Sequence, residues 1–137
     1  MNNEIFFQLI LAVIFGALIG FEREIKKKGA GLRTYSLVCL GSCLFSVIAF
    51  ELGNLKILDP STLLIAITVG MGFIGGGAIF KGENRIFGLT TAAGLWTTAA
   101  IGLTIGAKFY DVAFFATILV LMIFYLFGFV EEKIFKK

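Results

Sequence analysis

The amino-acid sequence predicts an all-α fold: a single polytopic membrane domain, a helix bundle with about five transmembrane helices. The 137 residues are 58% hydrophobic and only 15% charged, and their mean hydropathy is +0.97. Soluble domains are about half apolar and a quarter charged, so the apolar excess must face lipid or other apolar helices. The apolar residues also form five runs, each close to the ~20 residues that cross a bilayer.

The five apolar runs give the predicted helix boundaries. The third run has the clearest start, because Asp59 can cap a helix and Pro60 suits its first position. Gly29 is expected to end the helix that continues from the first run. We expect one domain over residues 1–137 and, since the chain ends soon after Lys133, no soluble C-terminal domain. The predicted spans are about 5–21, 34–50, 61–80, 89–107 and 112–130.

The positions of the basic residues predict the orientation. Ten of the twelve Lys and Arg residues lie between the first and second runs, between the third and fourth, or in the C-terminal tail. Cytoplasmic segments of membrane proteins carry such an excess. The N-terminus is therefore predicted outside the cytoplasm and the C-terminus inside it. The run from Lys26 to Lys28 is interpreted as an anchor on anionic headgroups that needs no further role.

Glycine is frequent, with 17 Gly against one Pro. Helices in lipid associate through close van der Waals approach, so small residues four apart mark contact faces. We expect such packing within the bundle and in a homo-oligomer, with a dimer favoured. For residues 72–77 an alternative stays open, in which the helix is locally unwound and its free carbonyls coordinate an ion. The predicted packing residues are Gly16, Gly20, Gly72, Gly75, Gly76, Gly77, Gly102 and Gly106.

The residues that are missing argue against catalysis. The chain has no His, and no motif indicates a phosphate loop or a metal protease. Cys39 and Cys43 lie within an apolar run and are expected to pack as small hydrophobic residues. No Asp, Glu, Lys or Arg lies near the middle of a predicted span, where transporters often place such a group. We expect no enzyme, no cofactor and no nucleic-acid partner, and the residues do not indicate whether a metal ion binds.

Charged residues at the predicted cytoplasmic face form the candidate site. Glu22, Arg23, Arg33 and Lys81 are the ionisable residues that could line a pocket there. Arg23 continues the glycine face of the first helix, so its burial would demand a partner. Glu22 is its neighbour in sequence and points elsewhere. We therefore expect Glu22 to pair with Arg33 or Lys81 across the bundle.

Four sequence blocks resemble those of the MgtC/SapB family of bacterial inner-membrane proteins, in the same order. They are "GALIGFERE", "AGLRT", "GMGFIGGGAIF" and "GLTTAAGLWTTAAIG", and the resemblance covers about Leu9 to Gly106. It implies a multi-pass protein of the bacterial cytoplasmic (inner) membrane with a role linked to magnesium limitation. The positions that match the family are Glu22, Arg23, Gly31, Leu32, Arg33, Thr34, Gly72, Gly75, Gly77, Gly88, Leu89, Thr90, Thr91 and Trp96.

The residues and the resemblance together predict a non-enzymatic regulator. It would act in magnesium or membrane-energy homeostasis through contacts with another membrane protein. The alternative is a small ion channel or transporter, with a path along the third and fourth helices and their threonines. The soluble C-terminal domain of MgtC is expected to be absent. The predicted functional group at the cytoplasmic face is Glu22, Arg23, Arg33, Thr34, Lys81, Thr90 and Thr91.

Overall fold

A computed structural model describes residues 2–134 of the chain, which form a helical bundle with one short hairpin. Lys136 and Lys137, which contribute to the charge bias, lie outside these residues. A π-helical segment interrupts the last long helix. The elements are α1 (Asn2–Ile25), α2 (Leu32–Asn54), α3 (Pro60–Gly77), β1 (Phe80–Lys81), β2 (Ile86–Phe87), α4 (Leu89–Gly106), α5 (Tyr110–Met122), the π-segment (Ile123–Phe127) and α6 (Gly128–Ile134).

The predicted fold class is confirmed. Within residues 2–134, five helices are long and apolar enough to cross a membrane, the fifth being the continuous helix Tyr110–Glu131. The chain reverses direction at each connection, so the ends of neighbouring helices meet at two faces. We call the face where α1 ends and α2 begins the Glu22 end, and the opposite face the Glu4 end. The predicted orientation places the Glu22 end in the cytoplasm.

The start of α3 is predicted correctly and its end is not. The Asp59 carboxylate accepts a hydrogen bond from the backbone N–H of Ser61 at 2.8 Å, and Pro60 is the first helical residue. The helix ends at Gly77, three residues before the predicted Phe80, because consecutive glycines are weak helix formers. Strands β1 and β2 then pair antiparallel.

Gly88 closes this hairpin against the end of α3. Its φ is +84°, a conformation that favours glycine, and a Cβ there would collide with the carbonyl oxygen of Ala78. The apolar pattern continues past Gly77 through Ala78, Ile79 and Phe80, so hydropathy alone extends the third span too far.

Helix α2 is the centre of the bundle. It packs against α1, α3 and α4, and its Tyr35, Cys39 and Cys43 are fully buried. Both cysteines are free, and they pack as small apolar residues as predicted. In contrast, α3 and α5 expose most of their side chains, as expected for helices that face lipid. Phe73 on α3 is 88% exposed.

Two of the glycine faces contact α2. A Cβ added to Gly16 would lie 2.7 Å from the carbonyl oxygen of Tyr35, and one added to Gly20 would lie 2.8 Å from the Cα of Leu32. On α4, a Cβ added to Gly106 would lie 2.6 Å from the carbonyl oxygen of Cys43. A Cβ on Gly102 would collide with the carbonyl oxygen of Cys39. Both helices therefore approach the α2 backbone at distances that glycine permits.

The glycines of α3 are placed differently. An added Cβ on Gly75 would lie 3.5 Å from the carbonyl oxygen of Ala92, an ordinary contact. For Gly72, Gly76 and Gly77, no atom of the described chain lies within 4 Å of such a Cβ. The prediction that these three pack against another helix finds no partner within residues 2–134. The alternative of an unwound helix is wrong, because α3 stays helical through Gly77.

Polar contacts hold the Glu4 end together. The side-chain amide of Gln8 donates to the carbonyl oxygens of Ile105 and Gly106 at 2.9 and 3.0 Å, so α1 caps the end of α4. Lys108 Nζ donates to Glu4 Oε2 at 2.8 Å. This hydrogen bond is the main cause that raises the pKa of Lys108 above its ordinary 10.5.

The Glu4–Lys108 pair gives a pH prediction. Because the folded-state pKa of Lys108 is raised, its stabilisation is complete below about pH 10.5 and is lost as the pH rises through the folded-state pKa. Thermal unfolding of the wild type and of Glu4→Gln in detergent, from pH 8 to 12, measures this. We expect the wild type to unfold at a slightly higher temperature at pH 8 and the difference to vanish at the alkaline limit. A difference that grew above pH 10.5 would contradict this assignment.

Candidate functional site

The candidate site lies near the end of α1, where two adjacent charged residues are buried. Glu22 is 8% exposed and Arg23 is 4% exposed. Arg23 Nη1 lies 3.5 Å from Glu22 Oε2, and Lys26 Nζ lies 3.3 Å from Glu22 Oε1. Lys26 follows Glu22 by four residues, in the turn directly after α1, so the three charges lie together around the end of one helix. One carboxylate thus faces two cations.

Aromatic residues from two other helices enclose these charges. The Arg23 guanidinium stacks over the ring of Phe124 with its Cζ 4.3 Å from the ring centroid, a cation–π contact. The Tyr35 hydroxyl donates to the carbonyl oxygen of Thr91 at 3.4 Å. A Cβ added to Gly94 would lie 2.6 Å from both the Tyr35 hydroxyl and the Phe124 ring. Gly94 therefore gives both rings the room to close over the site.

The π-segment lies directly against this site. Phe124 belongs to it, and the carbonyl oxygen of Phe124 accepts a hydrogen bond from Lys26 Nζ at 3.4 Å. Lys26 also lies under the Tyr125 ring, with Nζ 5.4 Å from the centroid. π-helical turns occur most often at functional sites. We call Glu22, Arg23, Lys26, Tyr35 and Phe124 the Glu22 cluster.

Several polar atoms of the cluster are not hydrogen-bonded. Within residues 2–134, both carboxylate oxygens of Glu22 and Nε of Arg23 are buried and lack a hydrogen-bond partner. The ion pairs at 3.3 and 3.5 Å balance the charge but leave the directional bonding of these atoms incomplete. Such groups are costly to bury, and each one in a native protein calls for an explanation.

The structure brings together only part of the predicted functional group. Glu22 and Arg23 are in the cluster, and Thr91 contributes its backbone carbonyl. The other predicted residues, Arg33, Thr34, Lys81 and Thr90, are exposed.

The predicted pairing of Glu22 with Arg33 or Lys81 is wrong. The ion pairs of Glu22 are with Arg23 and Lys26. Both cations lie on α1 itself or in the turn after it, so a local contact replaces the expected one across the bundle. Lys26 consequently does more than anchor the loop at the membrane surface.

Sequence reasoning missed three residues of the site. Tyr35 follows the loop by only a few residues, and its hydroxyl in an apolar run is a weak signal that could have been noticed. The spacing of Lys26 from Glu22 is a second signal, because residues four apart on a helix are neighbours. No signal identifies Phe124 among the many phenylalanines of the last helix.

Three of the five threonines of α4 bond within their own helix. The hydroxyls of Thr97, Thr98 and Thr104 donate to the carbonyl oxygens four residues earlier, at 2.7 to 2.8 Å. This is the default arrangement expected for such residues. Over the described part of the chain, no three His, Cys, Asp or Glu side chains come together as a cage for a metal ion.

Comparison with known proteins places the chain in a family. The model of the MgtC family matches residues 9–133, which include the whole Glu22 cluster. The chain belongs to the MgtC family. The family blocks noted in the sequence thus extend through the fifth span.

Individual relatives of this MgtC-family chain carry different names. It is 40% identical over 130 residues to the "Putative magnesium transporter YhiD" of Escherichia coli, covering 90% of this chain and 60% of the relative. It is 35% identical over 129 residues to Protein SapB of Bacillus subtilis, covering 89% and 56%. It is 38% identical over 112 residues to Protein MgtC of Brucella abortus, covering 82% and 46%. The chain therefore spans about half of its relatives' length. No solved structure matches it.

Proposed function

We propose that this MgtC-family chain is a non-enzymatic regulator in magnesium or membrane-energy homeostasis, and that it acts through the Glu22 cluster on another membrane protein. The family and its magnesium-related names support the link to magnesium. The proposal includes a bacterial inner-membrane location with the Glu22 end in the cytoplasm, which the basic residues favour. Self-association through the open glycines of α3 stays a prediction.

One observation carries the proposal: a buried carboxylate and two cations are held at the end of the bundle with incomplete hydrogen bonding. Buried charged groups with incomplete hydrogen bonding are costly, and each one in a native protein calls for an explanation such as function. The position of the cluster near the membrane surface suits a switch more than a permeation path, because a path needs polar groups across the bilayer. Three of the five threonine hydroxyls of α4 that could supply them donate to carbonyl oxygens of their own helix.

The cluster also contacts the last helix, which could transmit a structural change to the partner protein. Lys26 pairs with Glu22 and also donates to the carbonyl oxygen of Phe124. The ion pairing of Glu22 and the position of the last helix are therefore linked. In the proposed mechanism, a change in the ion pairing of Glu22 alters the hydrogen bond that Lys26 Nζ donates to the carbonyl oxygen of Phe124. The helical segment Gly128–Ile134, at the same end, then changes the surface that it offers to the partner.

The alternative function is transport, and the name of the E. coli relative favours it. Reconstitution in sealed liposomes separates the two functions. Wild type, Glu22→Gln and the control Ala100→Leu would be tested with dyes for magnesium and protons inside the vesicles. Ala100 is exposed on α4, outside the cluster and outside the open glycines of α3. If the protein is a regulator, liposomes with any of the three folded proteins should show no more magnesium or proton flux than empty liposomes.

A second measurement tests the regulatory role directly. The three proteins are expressed in a bacterium that lacks its own MgtC-family protein and is grown at limiting magnesium. We expect wild type and Ala100→Leu to restore growth and Glu22→Gln to fail at equal membrane abundance. Magnesium or proton flux that Glu22→Gln abolishes would replace the regulator with the transporter.

A further inference from the structure

A groove runs between α2 and α3, away from the Glu22 cluster. Its volume is about 620 Å³, within the range of small-molecule sites, and it is open to the side of the bundle. On α2 it extends from Thr34 to Phe45, and on α3 from Leu63 to Ile74. Apolar residues and glycines form its lining except for Thr34 and Ser42. A groove of this kind on a transmembrane surface is suited to hydrocarbon and not to water.

The length of the groove matches one acyl chain of a phospholipid. Eleven residue steps separate Thr34 from Phe45 and Leu63 from Ile74, which at 1.5 Å per residue is about 16 Å on each helix. An acyl chain spans half of the hydrocarbon core, about 15 Å. Thr34 lies in the first turn of α2 and Ile74 in the last turn of α3, so one end of the groove is at the Glu22 end. Its other end reaches Phe45 on α2 and Leu63 in the first turn of α3.

Two glycines keep this groove wide. Gly41 on α2 and Gly70 on α3 both line it, and for each no described atom lies within 4 Å of an added Cβ. Neither glycine therefore serves a close approach between the helices within this chain. Larger residues at these positions would fill the groove without displacing the backbone.

Basic side chains lie at the end where the groove begins. Arg33 is exposed and lies one turn before Leu37, a lining residue, so both are on the same face of α2. The hairpin after α3 exposes Lys81 and Arg85 at the same end of the bundle. Basic groups beside a groove between transmembrane helices are the usual recognition site for anionic headgroups.

We propose that the groove is a binding site for an anionic phospholipid of the leaflet at the Glu22 end. One acyl chain lies between α2 and α3, and the phosphate contacts Arg33. The apolar lining and the groove's length match an acyl chain, and the charge at the mouth matches the phosphate. The open stripe of α3 that carries Gly72 and Phe73 lies outside the groove, so the site remains available if a second copy docks there.

The chain offers a matched pair of variants for the test. Gly70→Leu places a side chain in the groove, and Gly72→Leu makes the same change two residues away on the same helix, outside the groove. Both sites are open, so both proteins are expected to fold, which thermal unfolding verifies. Protein purified in mild detergent would be titrated with phosphatidylglycerol or with phosphatidylcholine of identical chains, and bound lipid counted by native mass spectrometry.

We expect wild type and Gly72→Leu to bind one phosphatidylglycerol, and Gly70→Leu to bind at least tenfold more weakly. Arg33→Gln should reduce the preference for phosphatidylglycerol about fivefold, because one surface cation contributes that much. Equal binding by the two leucine variants, or equal affinity of the wild type for both lipids, would overturn the proposal. So would a dimer that Gly70→Leu alone dissociates, since a second copy would then occupy the groove.

Discussion

Gly102→Val is expected to prevent stable folding of the bundle. A Cβ at this position collides with the carbonyl oxygen of Cys39, and the Cβ of Ser42 lies 2.9 Å away. These neighbours are on α2, the helix on which the whole bundle packs, and two of the three nearest atoms are backbone. Overpacking a core costs about 1 to 3 kcal/mol when side chains can adjust. Because a carbonyl cannot move aside, we expect a loss of about 3 kcal/mol or more.

Titration with SDS, followed by the fluorescence of the single tryptophan, Trp96, measures the free energy of unfolding of this variant. Gly72→Val is the control, because the same side chain there meets nothing within 4 Å. We expect the control to unfold as the wild type does. If Gly102→Val and Gly72→Val were equally stable, the close approach of α4 to α2 would be incorrect.

Arg23→Met is expected to have the second largest effect. It leaves the Glu22 carboxylate buried, with Lys26 as its one remaining cation of the cluster. Removing one partner of a buried ion pair costs about 3 to 5 kcal/mol. We expect the lower part of this range, because the Lys26 side chain is 25% exposed and can move toward Glu22. The methionine also keeps much of the contact with Phe124.

The double variant Glu22→Leu with Arg23→Met separates stability from function. Replacing both charges by apolar residues is often neutral or stabilising, so the double variant should unfold close to the wild type. It should nevertheless fail to support growth at limiting magnesium if the cluster acts as proposed. If the double variant lost as much free energy of unfolding as Glu22→Leu and Arg23→Met together, Glu22 and Arg23 would not interact. Arg33→Gln is the matched control, since exposed Arg33 should show no coupling to Glu22.

The sequence predicts the parts of this fold that depend on local chemistry. Hydropathy locates five spans, and the Asp59–Pro60 pair locates the start of α3, because capping and composition act within a few residues. The end of α3 is mispredicted because a run of apolar residues looks the same in a helix and in a two-residue strand. The sequence also predicts a buried Arg23, since that residue continues the glycine face of α1. It does not predict the burial of Glu22, which is expected to point elsewhere.

The ion-pair partners of Glu22 cannot be predicted from the sequence, for a physical reason. Charges at similar depth in the membrane are interchangeable in a sequence, and only packing decides which pair meets. Tyr35 and Phe124 reach the site because Gly94, on a third helix, leaves space for both rings. Tyr35 and Phe124 are about ninety positions apart in the sequence, and the periodicity of a single helix does not indicate a contact over such a separation.

The π-segment has a consequence for how the last helix tolerates length changes. A turn closed by bonds between residues five apart holds one residue more than a regular turn, so it absorbs a single-residue insertion without rotating the helix beyond it. Upstream, Val120 faces the bundle, and downstream Gly128 faces Lys26 Nζ, 3.0 Å from an added Cβ. The loss of one residue from this turn would therefore return it to regular α-helix and leave the chain beyond it facing the same way. The same loss from a regular turn would rotate the chain beyond it by roughly 100°, the angle between successive residues of a helix with 3.6 per turn. The π-segment is therefore the part of the last helix where the chain can change length by one residue without turning the C-terminal residues.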